Sequence, residues 1–461
     1  MAVTQLAAVE ELASRLRGEV IGPEDARYDE ARKVMNGMID RHPAAIARCV
    51  DAADVAAAVT FAREHDLELA IRGAGHSGAG MGTVDGGLVV DMSPQRWVHV
   101  DPATRTVRAG GGATLGDVDH ATHAYGLAVP LGVLSTTGIG GLVTGGGIGY
   151  LARRYGLSID NLRGADLVLA DGTFAHADND ENADLFWAIR GGGGNFGVVT
   201  AFEFESHPVS IIVGGPTLWH LDRAADVMAF WRDFIEDAPG EVSGFYAIVT
   251  VPPGPPFPEE LHLQKMCGVV WCYTGDVEDA DEVFAPMREL QPALDGIAAL
   301  PFPALQTAFD PLFPFGLQVY WRGDFIDELT EEAIAKHASL AGTLPTMLST
   351  MHMYPIDGAA ATPSNDATAW AYRGSRYAEV ILGADPEPAN ATLIRDWVVD
   401  YHEQTHPFAA KGGGGYVNFN NEQDDERVRA SYGSNYERLA KIKGRYDPDN
   451  VFHVNHNIKP A

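Results

Sequence analysis

The chain has 461 residues, of which 46% are hydrophobic and 21% charged, a balance typical of a soluble globular protein with two or three domains. Its 63 acidic and 33 basic residues give a formal charge of −30, which would repel nucleic acids and anionic lipid surfaces. The charge has two explanations, an ordinary acidic surface or adaptation to high salt, and we favour a halophilic origin.

The N-terminus predicts an amphipathic helix, because Glu10, Glu11 and Arg15 interrupt the apolar run that a signal peptide needs. No later segment reaches the length of a membrane span. Neither metal-ligand spacing nor an even-numbered disulfide framework links the three cysteines, Cys49, Cys267 and Cys272. Reduced thiols and a cytoplasmic location are therefore expected.

Short β-type runs alternate with helices from about residue 34 to about residue 207. The alanine-rich run 44–66 predicts a helix, and residues 67–73 predict a strand that ends at a glycine. Further strands are expected at 87–92, 97–101, 106–112, 165–172 and 196–208, with helices at 115–126 and 184–191.

Longer extended segments separated by wide helices begin at about residue 208. Strands are expected at 211–221, 240–251, 262–275 and 316–325, and helices at 222–238 and 329–342. This pattern indicates an α+β fold with an antiparallel sheet covered by helices on one side. The tail from about residue 411 begins with four glycines and ends in a helix over 434–446.

Gly73, Gly75 and Gly78 match the nicotinamide-dinucleotide fingerprint directly after a strand, with Asp91 at a plausible distance for a ribose hydroxyl. That fingerprint must open a helix whose N-terminal amides receive the diphosphate. The residues that follow contain four glycines and an Asp-Gly turn, which cannot form that helix. The loop therefore passes from strand to strand, and its amides favour a nest for a flavin diphosphate.

The loop sequence RGAGHSGAG, with His76 at its centre, resembles that of the vanillyl-alcohol-oxidase-type (PCMH-type) flavoproteins, in the berberine-bridge-enzyme-like branch. The resemblance extends to residues 131–162, 184–200 and 416–458, and so covers nearly the whole chain. It implies a covalent bond from His76 to the 8-methyl carbon of FAD. A neutral imidazole is a suitable nucleophile for that carbon.

The resemblance also implies the domain organisation. An N-terminal helix (1–33) would precede an FAD-binding domain (34–207), and a C-terminal segment (411–461) would return to complete it around an inserted substrate domain (208–410). The FAD contacts carried over besides His76 are Arg72, Gly73, Ala74, Gly75, Ser77, Gly78, Gly132, Leu134, Thr136, Thr137, Gly140, Gly141, Gly146, Gly149, Tyr150, Asn161, Val199, Tyr416 and Asn418.

Two departures from the family pattern modify these expectations. Many relatives hold the flavin through a second bond from a cysteine, where this chain has Leu134, so the bond from His76 should be the only one. A single bond is similar to the bacterial 6-hydroxynicotine-oxidase type and suggests a smaller or more enclosed cleft. Phe419 replaces a tyrosine that often serves as the catalytic base, and cannot accept a proton.

Removal of a hydride from a carbon beside an OH or NH requires a proton acceptor. By family spacing Glu379 falls at the catalytic glutamate, with Tyr354 nearby, although Glu379 could also be an outward-facing strand carboxylate. An amine substrate that is deprotonated on binding would need no strong base. Further residues of the predicted substrate pocket are Tyr320, Trp321, His352, Tyr377 and Phe419.

Thr137 aligns with a position where a small side chain admits oxygen to the flavin, which favours an oxidase that forms hydrogen peroxide. The alternatives are a dehydrogenase with another acceptor and a non-catalytic flavin-binding protein. The expected partners are O₂ and a small molecule among cyclic amines, alcohols and phenolic or polyketide-like metabolites. Substrate specificity depends on side chains that a family resemblance does not determine.

Overall fold

Alternating short strands and helices form the first part of the computed structural model, which describes residues 2–421 and 424–461. The strands here are β1 (Glu19–Ile21), β2 (Ala45–Arg48), β3 (Leu69–Arg72), β4 (Leu88–Asp91), β5 (Val98–Asp101), β6 (Thr106–Gly110), β7 (Leu127–Ala128), β8 (Leu162–Val168), β9 (Phe174–Ala177), β10 (Val198–Glu205) and β11 (His207–Pro208). The helices are α1 (Ala2–Arg15), α2 (Tyr28–Ala31), α3 (Ala52–Glu64), α4 (Leu115–His123), α5 (Ile139–Gly145), α6 (Ala152–Tyr155) and α7 (Ala183–Ile189).

The first sheet has the order β1-β2-β4-β3, with β2 and β3 both parallel to β4. Strand β2 shows that the helix predicted over 44–66 was too long. The residues of β2 are buried, and the helix begins only after Asp51, whose side chain accepts a hydrogen bond from the Asp54 amide at 3.0 Å. Burial beside β4 outweighs the preference of alanine for a helix.

Residues 73–87 connect β3 to β4 without a helix anywhere in that described range. The two strands are adjacent and parallel, so the loop starts and ends on the same sheet. The structure thus agrees with the rejection of a nicotinamide-type turn. A second sheet of order β5-β6-β10-β8-β9 is antiparallel throughout and packs beside the first.

A nine-stranded antiparallel sheet forms the second part, as predicted from its long extended segments. Its strands are β12 (Ile211–His220), β13 (Val242–Thr250), β14 (Lys265–Tyr273), β15 (Leu294–Asp295), β16 (Ala298–Pro301), β17 (Gln318–Arg322), β18 (Phe325–Ile326), β19 (Thr350–Pro355) and β20 (Tyr377–Asp385). The accompanying helices are α8 (Ala224–Asp237), α9 (Ala280–Val283), α10 (Ala285–Glu289), α11 (Phe302–Thr307), α12 (Glu331–Leu340) and α13 (Ala391–Thr405).

The two faces of this sheet have different neighbours. One face packs against α8, α12 and α13 in an apolar core that includes Trp231, Ile334 and Val398. The other face, with Phe245 and Val380, belongs to the core that it shares with the first part of the chain. Alternate residues of each strand therefore face the helices or the first part of the chain.

The C-terminal segment, with α14 (Asp425–Tyr432) and α15 (Tyr436–Tyr446), returns to the first part of the chain. Lys443 is fully buried there. Its ammonium group donates hydrogen bonds to the Asp447 carboxylate (2.6 Å) and to the carbonyls of Asn195 (2.7 Å) and Phe452 (2.9 Å). One side chain thus joins the last helix to the glycine-rich loop between α7 and β10.

The three cysteines are buried and free, as expected. Among the described residues, no helix has both the length and the apolar character needed to cross a bilayer.

Substitution of Lys443 by methionine should lower the free energy of unfolding by about 3–5 kcal/mol, because it leaves the buried Asp447 carboxylate without its ion-pair partner. Urea denaturation followed by tryptophan fluorescence measures the change. Lys441→Met on the exposed side of the same helix is the matched control and should change stability by less than about 0.5 kcal/mol. Equal losses for the two variants would contradict the assignment of Lys443 as an anchor.

Candidate active site

A cavity of about 460 Å³ lies between the nine-stranded sheet and the glycine-rich loops of the first part. The C-terminal segment closes one side of it. The predicted site residues that line the cavity are Arg72, Gly73, Ala74, Gly75, His76, Ser77, Gly78, Gly132, Leu134, Thr137, Gly140, Gly141, Tyr150, Val199, Trp321, His352, Tyr354, Tyr416, Asn418 and Phe419.

The first glycine-rich loop leaves β3 at Arg72, whose guanidinium is buried against the Asp91 carboxylate (3.0 Å) and the Ala31 carbonyl (2.7 Å). Gly75 then adopts a left-handed conformation (φ 73°), which turns the chain into the cavity. A Cβ on Gly78 would lie 2.5 Å from the Trp321 ring. The loop therefore needs glycine both to turn and to approach the sheet.

His76 projects from this loop with its Nε2 atom buried, and within the described residues that nitrogen has no hydrogen-bond partner. Burial lowers the pKa of His76 to about 4, while the Asp310 charge and the backbone of Thr136 oppose the shift. The ring of Phe315 lies edge-on to the imidazole at 5.6 Å. At neutral pH His76 is consequently an uncharged imidazole with an available ring nitrogen.

The second glycine-rich loop, residues 138–149, is held against the C-terminal segment by Tyr416. Its hydroxyl accepts hydrogen bonds from the Gly147 amide and from the Asn418 side chain, each at 2.7 Å. A Cβ on Gly146 would lie 3.1 Å from the Tyr416 ring. Burial raises the pKa of Tyr416 to about 12, so its hydroxyl keeps its proton and acts as a structural link.

Strand β19 places the polar groups of the sheet at the cavity. His352 Nδ1 lies 3.0 Å from the Tyr354 hydroxyl, and the Tyr354 ring packs against Phe245 (4.8 Å) and Phe419 (5.4 Å). Burial lowers the pKa of His352 to about 4 and raises that of Tyr354. The pair is uncharged at neutral pH, with the tyrosine able to donate and the imidazole able to accept a proton.

Glu379 was wrongly predicted as a base in this cavity. It pairs with Met353 across β19 and β20, so both side chains point to the helix-covered face. His337 Nδ1 lies 3.6 Å from one of its carboxylate oxygens, on the side of the sheet away from the cavity. Burial raises the pKa of Glu379 well above its usual value, so the group is a neutral carboxylic acid.

Tyr320 and Tyr377 were also wrongly assigned to the cavity, for the same reason. Tyr377 packs on Trp231 of α8, with ring centroids 5.3 Å apart. Tyr320 lies in a surface groove beside Arg395. The neighbouring Trp321 is the β17 residue that faces the cavity.

Four predicted flavin contacts lie outside the cavity lining. Thr136 is exposed. Gly146 lies behind Tyr416, and a Cβ on Gly149 would meet the Leu131 carbonyl at 1.9 Å. The Asn161 side chain bonds the Tyr155 and Leu157 carbonyls. These four residues are therefore not among those that would contact FAD.

Three residues near the cavity were not predicted from the sequence: Asp310, Phe245 and Phe315. The Asp310 carboxylate accepts hydrogen bonds from the Ser135 amide (3.0 Å) and the Ser135 hydroxyl, and it acts electrostatically on His76. No local pattern in its Asp-Pro loop signals this contact between distant segments. The alternation of β13 could have revealed Phe245, because it lies two residues from Ala247 on the face toward the cavity.

Two protein-family models match parts of this chain. An FAD binding domain model matches residues 43–178, and a berberine and berberine-like model matches residues 415–459. An FAD-linked oxidoreductase of Dictyostelium discoideum is 31% identical over 88% of this chain and 86% of its own. The (R)-6-hydroxynicotine oxidase of Paenarthrobacter nicotinovorans is 30% identical over 96% of this chain and 97% of its own.

Solved structures show the same fold. The 6-hydroxy-D-nicotine oxidase of Arthrobacter nicotinovorans superposes with a TM-score of 0.86 at 27% identity, covering 97% of this chain and 98% of that one. The glucooligosaccharide oxidase of Acremonium strictum, which carries a 6-S-cysteinyl, 8α-N1-histidyl FAD, has a TM-score of 0.86 at 23% identity and covers 98% and 99%.

The residues of the cavity fit FAD. Glycines at 73, 75, 140 and 141 bring backbone close to the space, as a flat ring and a diphosphate require. The buried, unpartnered Nε2 of His76 is a polar atom that the described part of the protein leaves unsatisfied, and a bound group would satisfy it. FAD would be held by the three glycine-rich loops and by Tyr416 and Asn418.

Glu379→Gln should change kcat and KM by less than about threefold, because the side chain lies behind the sheet and already carries a proton. Steady-state kinetics on the purified protein measures both constants. Met353→Leu, on the neighbouring strand and the same face, is the matched control for disturbed packing. A hundredfold fall in kcat for Glu379→Gln but not for Met353→Leu would contradict this expectation and indicate that Glu379 takes part in the reaction.

Proposed function

We propose that this chain, which belongs to the berberine-bridge-enzyme-like family of FAD-linked oxidoreductases, is an oxidase of small, neutral aromatic alcohols. The observation that carries this proposal is the hydrogen-bonded pair of His352 and Tyr354 in an apolar cavity shared with His76. Bound FAD would supply a hydride acceptor there, with electrons passing on to O₂ and giving hydrogen peroxide.

His76 would be the single covalent attachment of the cofactor. Its buried imidazole is uncharged, which is the form that acts as a nucleophile. Leu134, where many relatives have cysteine, lines the same cavity without a reactive atom. Phe315 packs edge-on against this imidazole, while Asp310, which is hydrogen-bonded to Ser135, acts on it only through its charge.

The substrate class follows from the cavity lining. Arg72 is the only described lining residue with a permanent charge, and Asp91 already neutralises it. A cationic amine would find no carboxylate among the described lining residues, so desolvation of its charge would oppose binding. Trp321, Phe245 and Phe419 instead offer aromatic surfaces that suit a flat, uncharged ring.

Tyr354 and His352 would handle the proton of the substrate hydroxyl. The Tyr354 hydroxyl accepts that proton while its own proton passes over 3.0 Å to His352 Nδ1. Because the pKa of His352 is about 4, the imidazole holds the proton only briefly and releases it to water. The order of transfers leaves Tyr354 protonated at the end, ready for the next turnover.

Thr137 would permit the reoxidation step. It lines the cavity, and a side chain as small as that of threonine would leave O₂ access to the flavin. A dehydrogenase that uses a different acceptor is the second candidate, since the comparisons include relatives named only as FAD-linked oxidoreductases.

Wild-type protein should remain fluorescent in a denaturing gel viewed under ultraviolet light, and His76→Ala should lose this fluorescence, because only the covalent bond survives denaturation. His352→Gln is the matched control within the same cavity and should keep the fluorescence. A wild-type band without fluorescence would refute covalent attachment, and fluorescence in His76→Ala would assign it to another residue.

Neutral benzylic or phenolic alcohols should bleach the flavin absorbance without oxygen, and admission of air should restore it with one equivalent of hydrogen peroxide. Tyr354→Phe should lower kcat by about 10²–10⁴-fold with little loss of bound flavin, because its ring keeps the packing and loses the hydroxyl. Substrate-linked peroxide assays and flavin absorbance measure the two quantities.

Wild-type kcat/KM should fall as the pH drops through about 4, where His352 becomes protonated, and this acidic limb should disappear in His352→Gln. Bleaching without peroxide would favour the dehydrogenase. An absence of bleaching across neutral and amine substrates would contradict an oxidoreductase acting on these classes.

A further inference from the structure

A second cluster of polar groups lies on the helix-covered side of the nine-stranded sheet, away from the cavity. Asp324 sits between β17 and β18, and His402 and His406 are one helical turn apart at the end of α13. His402 Nε2 lies 3.0 Å and His406 Nδ1 lies 2.8 Å from the same oxygen of Asp324, Oδ2. Donor atoms of the three side chains all lie within 4.8 Å of one another.

One of these atoms is not satisfied by the protein. His402 Nε2 is buried and, among the described residues, makes no hydrogen bond, although it lies 3.0 Å from the carboxylate oxygen. The two atoms are close but not aligned for a hydrogen bond. An unsatisfied nitrogen in such a place costs free energy unless a further group occupies the space between the donors.

We propose that Asp324, His402 and His406 bind a divalent transition-metal ion, with Zn²⁺ as the preferred ion. Two imidazole nitrogens and one carboxylate oxygen form a usual three-ligand set for zinc, which is four-coordinate. The i and i+4 spacing of the histidines puts both rings on one side of the helix. Water would complete the coordination, because the His406 side chain is 46% exposed while Asp324 is only 1% exposed.

Arg427 orients the Asp324 carboxylate for metal binding. Its guanidinium donates to the other oxygen of Asp324, Oδ1, at 2.8 Å, and to the Gly323 carbonyl at 2.6 Å. Oδ2 is left to face the two imidazoles. Hydrogen bonding of a ligating carboxylate through its second oxygen is common at metal sites and fixes its orientation.

The position of the site suggests a structural role. Arg427 belongs to α14 and also binds the Gly413 carbonyl, in the glycine loop that leads to Tyr416. The three proposed ligands belong to the substrate-side sheet and its helix α13. A bound ion would hold the Asp324 carboxylate in place. Through Arg427, this carboxylate joins the sheet to the C-terminal segment. The ion would act there without contact with the substrate.

Zn²⁺ alone is the probe. Flavin-loaded, untagged protein is treated with EDTA, desalted and titrated with Zn²⁺ in a calorimeter, and one ion per chain is expected. His406→Ala should weaken binding by about tenfold or more, and its half-exposed side chain can be removed without opening the core. Asp324→Asn should weaken it similarly. Unchanged flavin absorbance verifies that each variant is folded.

His65→Ala is the matched control. His65 forms an exposed group with Glu11 and Glu64 that has a similar ligand set, but its position on the surface should give it no specific affinity. The melting temperature of wild-type protein should rise with Zn²⁺ and fall with EDTA, and that response should be lost in His406→Ala. Absence of zinc binding by wild type, or equal weakening by His65→Ala and His406→Ala, would overturn the proposal and leave only a hydrogen-bonded network.

Discussion

The buried ammonium group of Lys443 is a central link between the C-terminal segment and the first part of the chain. The chain leaves its first part at about residue 208 and returns some two hundred residues later, so no local contact can hold its end in place. Lys443 supplies that contact by bonding Asp447 and the carbonyls of Asn195 and Phe452 in a site without exposed surface. The position of Tyr416 over the second glycine loop depends on this return.

The antiparallel sheet imposes the second constraint, because neighbouring residues of a strand face opposite sides. His352 and Tyr354 reach the cavity, whereas Met353 and Glu379 face the helices. One sheet thereby separates two chemical environments. The cavity side is apolar and carries the uncharged, hydrogen-bonded pair of His352 and Tyr354, and the helix side carries a neutral glutamic acid near the Asp324 cluster.

Burial sets the protonation states at the cavity. Removal from water lowers the pKa of both His76 and His352 to about 4, and the charge of Asp310 offsets this shift only in part at His76. In the proposed function, the same low polarity would make His76 a neutral nucleophile, would make His352 a proton acceptor and would favour an uncharged substrate. A single physical cause thus supports the covalent attachment, the proton path and the substrate class that we propose.

The family, the α+β class and most strands and helices were predictable from the sequence, because glycine loops and alternating apolar residues are local signals. The loop pattern around His76 is local as well, and it predicted the position of this residue at the cavity. The tertiary structure was needed to establish which strand residues face the cavity, as Glu379 and Tyr377 demonstrate, because a shift by one residue reverses the face. It also decided the contacts of Asp310, Lys443 and Asp324, because these groups meet partners that are distant in the chain.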